Sequence, residues 1–305
     1  MTDRATGPSV GPALASARER LSRAGIDSAW LDAEVLLCHV TAMRREELLS
    51  ASKRTLTGAQ AARFEQVLRR RLEREPVAYI TGNREFWSLD FHLTTAVLIP
   101  RPETERLVEI AVELVSGLND SGPRRVLDIG TGSGAIAVAL AKELPFAELW
   151  ATDLSTAALA VARGNAGRNG VADRVRFLCG DLFGPVAARG GKFALIVSNP
   201  PYIRSSEIAG LEPEVGGWEP RAALDGGADG LDFYRRLAAD AWSYLAPKGA
   251  VVVEIGADRG AAVAKIFDDI GRYAKARIFS DYAGQERVMA AQRLEPSGLQ
   301  GRGWR

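Results

Sequence analysis

Short apolar runs alternate with helix-length segments from Arg124 onward, and this alternation constrains the fold more than any other feature of the chain. The runs are Val126–Ile129, Glu148–Ala151, Val175–Leu178, Phe193–Ser198 and Ala250–Ile255. Between and after them lie Ala135–Leu144, Thr156–Asn169, Asp232–Leu245 and Arg259–Ile270, which have the lengths of crossover helices. Such connections return each strand parallel to the last, so an α/β fold with a mostly parallel, Rossmann-like sheet is predicted. The final pair, Lys275–Phe279 and Arg287–Gln292, leaves no room for a crossover and is predicted to be antiparallel. There is no internal repeat.

The chain ahead of this pattern reads differently. Helices are predicted over Ala13–Ala24, Trp30–Thr41, Arg44–Ser50 and Gly58–Arg74, the last opened by a capping box between Thr57 and Gln60. In that helix Phe64, Val67, Leu68 and Leu72 recur at helical spacing and should face the other helices. Its end carries Arg63, Arg69, Arg70, Arg71 and Arg74, for which a solvated face and a docking patch are equally good explanations. From Glu75 the pattern shifts to aromatic and β-branched pieces, Tyr79-Ile80, Glu85-Phe86-Trp87 and Val97-Leu98-Ile99. These read as a hairpin-like joint closed by Pro100 and Pro102, with a helix following from Glu103 to Val115. Three segments result: a helical domain over residues 1–74, the joint over 75–107, and the sheet domain over 108–305. A surface break is predicted between Ser116 and Pro123, and a loose tail from Pro296.

Charge and composition exclude several functions. Thirty-nine Lys and Arg face 38 Asp and Glu, a formal net charge of +1, so no global field favours nucleic acid or a membrane. Cys38, Cys179, His39 and His92 are the only cysteines and histidines and fall in no ligand-like spacing, so no metal site is expected. With neither a leader-like apolar stretch nor a membrane-length one, a soluble cytoplasmic enzyme is predicted.

Two loops carry the chemistry. Asp128-Ile129-Gly130-Thr131-Gly132-Ser133-Gly134 joins a strand to its helix, where glycines let the backbone approach a cofactor and expose amides near a helix start. The same residues also satisfy the dinucleotide fingerprint, with Asp153 near the next strand end as a ribose ligand, so the glycines alone do not decide between cofactors. The second loop, Asn199-Pro200-Pro201-Tyr202, follows Phe193–Ser198 at the carboxyl edge of the sheet. An Asn carboxamide there can accept a hydrogen bond from a planar NH2 group, proline-fixed carbonyls can lie beside it, and Tyr202 supplies a flat face.

The loops and strand order resemble the class I methyltransferases, which bind S-adenosylmethionine. That resemblance implies that Asp128 supports the loop or the methionine ammonium, that Gly130, Thr131, Gly132 and Gly134 form the floor, and that Asp153 takes the ribose hydroxyls. It implies further that Asp181, Leu182 and Phe183 lie beside the adenine, with Asn199 at the cofactor's reactive end, and that the sheet has seven strands with the last antiparallel.

The chain is more closely similar to the release-factor glutamine methyltransferase family. Shared features are Leu31-Asp32-Ala33-Glu34, Gly82 through Trp87, and Leu98 through Glu105. Others are Glu219-Pro220-Arg221-Ala222-Ala223-Leu224 and the following Gly226-Gly227-Ala228-Asp229-Gly230-Leu231. Each piece is weak, but their order and spacing are specific. The resemblance implies methylation of the side-chain amide nitrogen of the glutamine in the Gly-Gly-Gln loop of peptide-chain release factors, with S-adenosylhomocysteine as product. By position, Asn199 and the Pro200 carbonyl take the target NH2, Pro201 stiffens the loop and Tyr202 packs on the amide plane. The helical domain would dock the release factor, no stable nucleic-acid complex or membrane contact is expected, and the protein would be a monomer. Arg101 and Glu103 line the entrance or brace the joint; Trp87 and Trp218 are substrate contacts or ordinary packing. The alternative function is methylation of the exocyclic amino group of adenine or guanine, which needs the same NH2-accepting pocket.

Overall fold

The computed structural model describes residues 7–118, 124–187, 189 and 191–295. The predicted tail from Pro296 and most of the break before Arg124 lie outside the described residues. By contacts the chain divides into two compact units. One comprises the residues up to Asn83 together with Glu212–Trp218; the other comprises Arg84–Leu211 and the residues from Glu219 on.

The first unit is helical: α1 (Val10–Arg23), α2 (Ala29–Thr41), α3 (Arg45–Ser50), α4 (Gly58–Leu72) and α5 (Val77–Thr81). Thr57 and Gln60 do form a reciprocal cap on α4, each side chain accepting the other's amide at 3.1 Å. Phe64, Val67 and Leu68 are buried against Leu14, Ala17 and Leu21 of α1 and Leu36 and Leu37 of α2. Arg71 falls on the same buried face of α4. Its guanidinium donates to Asp32 of α2 at 2.7 Å and to Glu214 at 2.8 Å, and Arg74 reaches Glu214 at 2.8 Å. Arg70 pairs with Glu75. With Arg69 on Glu65, four of the five arginines at the end of this helix are committed within the chain, and Glu214 draws Glu212–Trp218 into this unit. The residues Tyr79 and Ile80 sit on a short helix rather than in an extended piece, because Pro76 starts it and Gly82, left-handed at φ 72°, stops it.

The second unit opens with the hairpin of β1 (Asn83–Phe86) and β2 (Leu89–His92), turned through Trp87 and Ser88, both at positive φ. Val97-Leu98-Ile99 forms no strand. Then follow α6 (Thr104–Ser116), β3 (Arg124–Ile129), α7 (Ala135–Glu143), β4 (Ala147–Asp153), α8 (Thr156–Arg168), β5 (Val175–Cys179), α9 (Gly184–Ala187) and β6 (Phe193–Ser198). After the short α10 (Pro213–Gly216), which belongs to the first unit, come α11 (Asp232–Tyr244), β7 (Leu245–Glu254), α12 (Gly260–Asp269), β8 (Arg277–Ser280) and β9 (Glu286–Gln292). The sheet has seven strands in the order β5-β4-β3-β6-β7-β9-β8. The first five are parallel and β9 is antiparallel to both its neighbours. β3 and β6 are adjacent and central, with Leu127, Ile129 and Ile196 in a core shared with Tyr234, Leu237, Val251 and Phe267. Their carboxyl ends therefore meet at the point where strand order reverses, which is where open α/β sheets bind ligands.

Candidate active site

At the end of β3, the Gly130 and Thr131 amides donate to the Thr152 carbonyl at 2.8 and 3.0 Å, folding the loop onto the end of β4. Gly134 adopts φ +81°, and a Cβ there would lie 3.0 Å from that of Ala162 on α8, so no other residue fits both the backbone and the space. Asp128 is fully buried. Its Oδ2 accepts from the Thr131 hydroxyl at 2.6 Å, while Oδ1 has no hydrogen-bond partner. Burial pushes its carboxyl up to about 7. An orphaned acceptor of this kind calls for a donor or a cation. Asp153 accepts the Gly132 amide on one oxygen and the Ser155 amide on the other, each at 2.8 Å. Each oxygen keeps a lone pair for a further donor. Beside it Leu154 is 72% exposed, a large apolar surface at the rim of the loop.

The third acidic position departs from the simple expectation. Asp181 is exposed and paired with Arg236 of α11. Leu182 is held at φ +43°, a strained conformation for a non-glycine residue, with its carbonyl accepting from the Thr152 hydroxyl. Phe183 is 3% exposed and stacked on Tyr244 at 4.6 Å between ring centroids. Its ring belongs to the core, so of the two apolar residues only the half-buried Leu182 offers side-chain surface to a ligand.

Asn199 leaves β6 immediately after Ser198, whose hydroxyl donates to the Ile129 carbonyl at 2.7 Å and ties the two loops together. The Asn199 amide group donates through Nδ2 to the Thr104 hydroxyl at 3.2 Å. Thr104 donates in turn to Oε2 of Glu254 at 2.6 Å, and the Tyr202 hydroxyl donates to Oε1 of the same carboxylate at 3.3 Å. Glu254 is 1% exposed, and burial raises its carboxyl to about 7. Burial also raises the Tyr202 phenol, which stays neutral.

The glycine-rich segment after Leu224 is shaped by this loop. Ile203 and Asp225 form a bridge, the Ile203 amide donating to the Leu224 carbonyl and the Gly226 amide to the Ile203 carbonyl. A Cβ on Gly226 would lie 2.8 Å from the Pro201 carbonyl oxygen, and one on Gly230, at φ +76°, 2.5 Å from that of Tyr202. The segment thus packs its bare backbone against Pro201 and Tyr202. Arg101 donates to the buried Glu219 at 2.6 Å. Trp87 is also engaged: its indole donates to Glu143 and its backbone amide donates to the Glu105 carboxylate, both at 2.8 Å.

Comparison with known proteins agrees with this geometry. Two family models match, the PrmC N-terminal domain over residues 12–82 and the methyltransferase small domain over residues 109–210. A release factor glutamine methyltransferase of Moorella thermoacetica is 45% identical over 283 residues, 93% of this chain and 98% of the relative. The chain belongs to the release factor glutamine methyltransferase family. A member from Bradyrhizobium diazoefficiens is 43% identical over 97% of this chain and 100% of its own length. Among solved structures, the hMettl16 catalytic domain superposes with a TM-score of 0.56 at 18% identity, covering 72% of this chain and 81% of that one, a likeness of fold.

The structure gathers Asp128, Gly130, Thr131, Gly132, Gly134, Asp153, Asn199, Pro200, Pro201 and Tyr202 at one edge of the sheet. Sequence reasoning missed Thr104, Glu254 and Leu154. A single acid ending the apolar run Val251-Val252-Val253-Glu254 was the available signal for the second of these. Among the described residues no group of side chains could hold a metal ion, and no helix is long and apolar enough to cross a membrane.

Proposed function

We propose that the residues at the ends of β3, β4 and β6 carry out, in this chain, the reaction of its family. A methyl group passes from S-adenosylmethionine to the side-chain amide nitrogen of the glutamine in the Gly-Gly-Gln motif of peptide-chain release factors. The observation that carries the reading is the Asn199 carboxamide: with its NH2 committed to Thr104, its Oδ1 is left as an acceptor for a substrate NH2.

When bound, the cofactor supplies an electrophilic methyl on a sulfonium. Asp128 meets its ammonium, Asp153 its ribose hydroxyls, and Leu154 and Leu182 flank the adenine. Asp181, already paired with Arg236, contributes at most at the edge of that site. The protein's remaining task is to make a poor nucleophile react, because a carboxamide nitrogen has its lone pair delocalised into the carbonyl. Asn199 Oδ1 and the Pro200 carbonyl each accept one hydrogen of the target NH2, which aims the nitrogen and favours it as it pyramidalises. Tyr202 covers the amide plane, and its neutral hydroxyl remains with Glu254. The proton leaves with or after attack, since a free amide anion would be too costly, and no side chain here is assigned as its acceptor.

The helical unit serves to dock the intact release factor, so that one glutamine is selected by a remote surface while the Asn199 loop reads only the amide. The test is mass analysis of purified release factor incubated with this protein and S-adenosylmethionine, with nucleic acid assayed in parallel. A single methyl on the Gly-Gly-Gln glutamine is the expected result. Methyl transfer to an adenine or guanine amino group instead would overturn the reading.

A further inference from the structure

One buried carboxylate holds the Tyr202 end of the substrate loop directly and the Asn199 end through Thr104, and the reading above gives it no task. Glu254 closes β7, two oxygens from one group reaching two different partners: Thr104 at the start of α6 and Tyr202 beyond the double proline. No cation pairs with it among the described residues; Arg287 acts on it only from a distance. We infer that Glu254 is a positioning residue, fixing which face of the Asn199 carboxamide meets the substrate.

The logic is one of donors and acceptors, and it rests on the proposed function only for the identity of the substrate. Above its raised value of about 7 the Glu254 carboxylate is ionised and can only accept, so there the Thr104 hydroxyl must spend its single hydrogen on Glu254. What then approaches the Thr104 oxygen has to be a donor, and Asn199 turns its Nδ2 there. Its Oδ1 faces the opposite way. Without a forced acceptor at residue 254 the hydroxyl hydrogen would be free to point at Asn199, the carboxamide would flip, and an NH2 group would confront the substrate NH2. The same carboxylate anchors the Tyr202 hydroxyl, so one residue holds both the acceptor and the aromatic wall. The assignment accounts for a buried acid tolerated without an ionic partner, which otherwise costs stability and returns nothing.

Glu254→Gln keeps the shape but can offer an NH2 to Thr104. It is expected to lower kcat for release-factor methylation by about tenfold or more while leaving KM and S-adenosylmethionine affinity within about twofold. Thr104→Val should reproduce that loss and Thr104→Ser should rescue it. The specificity readout is a release factor carrying glutamate in place of the target glutamine, whose carboxylate offers only acceptors. Its affinity relative to the glutamine form should rise in Glu254→Gln and Thr104→Val and stay low in the wild type and Thr104→Ser. A readout independent of activity is hydrogen exchange of the Asn199 side-chain NH2, slow in the wild type and Thr104→Ser and faster in Thr104→Val. Wild-type kcat in Glu254→Gln and Thr104→Val, or an unaltered exchange rate, would overturn the assignment. The wild type's own transfer rate reads the proposed function separately.

Discussion

The helical unit and the two candidate loops of the sheet unit use buried charge in opposite ways. In the helical unit Arg71, 4% exposed, lies between Asp32 and Glu214, and the buried Glu34 accepts from both Arg18 and Arg45. Burial pushes the Glu214 carboxyl up, but the hydrogen bonds from Arg71 and Arg74 prevail and hold it below its ordinary value. In the sheet unit Asp128 and Glu254 are as deeply buried, yet their contacts are hydroxyls, and burial carries both up to about 7. Compensated charges fix helices against one another. Uncompensated ones lie beneath the two candidate loops, where a ligand or a neighbouring side chain has to complete them, as expected where a fold trades stability for chemistry.

The comparison breaks most visibly at Arg71. Arg71→Ala would leave the buried Asp32 without its cation and Glu214 with Arg74 alone, and the loss of one member of such a cluster typically costs about 3–5 kcal/mol. Urea unfolding should show that loss, while S-adenosylmethionine affinity, which depends on the other unit, stays near wild type in the folded protein. A shift in urea midpoint no larger than a surface substitution gives would mean the cluster is not holding the helices.

Asn199→Ala should act in the reverse sense. The residue is half-buried and its removal leaves the Thr104 hydroxyl bonded to Glu254, so stability changes little. Methyl transfer should fall by about 100-fold or more, the usual effect of deleting one positioned polar group, on the order of 3 kcal/mol at the transition state. Single-turnover rates and calorimetric cofactor affinity measured on the same preparation separate the two effects. An unaltered rate would remove Asn199 from substrate positioning.

How much of this was legible beforehand follows from range. β6 runs Phe193–Ser198 as read from its apolar run, and the Thr57 cap lies where its residue types put it, because both signals are local. The reading failed where local preference was overruled: Tyr79-Ile80 has strand-like residues, but Pro76 and Gly82 bracket a helical turn too short for periodicity to reveal. Phe183 was placed by analogy at the ligand, whereas the stacking partner that draws it inward, Tyr244, lies on a helix far along the chain. The Thr104–Glu254 contact joins residues 150 positions apart, so nothing near either residue announces the other.

The raised acids give the sheet unit a pH signature. For a carboxyl whose folded value lies near 7 and whose unfolded value lies near 4, the native state binds more protons in between, so stability is greatest at acid pH and declines as pH rises through that window. For Asp128 alone the decline is on the order of 2 kcal/mol between pH 5.5 and 7.5 in ligand-free protein, and Asp128→Asn should flatten it by that amount. Saturating S-adenosylmethionine should flatten it too, since an ammonium beside Asp128 favours the ionised form. Unfolding curves across that range decide the matter; a wild-type profile that rises with pH would contradict the uncompensated burial of these acids.

The smallest effect has the opposite sign. Glu65 of α4 accepts from both terminal nitrogens of Arg20, at 2.7 and 2.9 Å, and from Arg69 at 3.2 Å. The hydrogen bond from Arg20 is the main reason its carboxyl sits below the ordinary value. A depressed carboxyl contributes stability that is present above its unfolded value near 4.5 and is lost as pH falls through its folded value. With side chains 36% and 39% exposed, solvent screens the pair, so Glu65→Gln should cost less than about 1 kcal/mol at pH 7. The difference from wild type should shrink with added salt and disappear near pH 3, where both proteins carry a neutral group at this position. Thus, where acid strengthens the native state through Asp128, it weakens it through Glu65. If the Glu65→Gln deficit instead grew on acidification, the pairing of helical-unit charges as the basis of the contrast with the sheet unit would be wrong at its most exposed point.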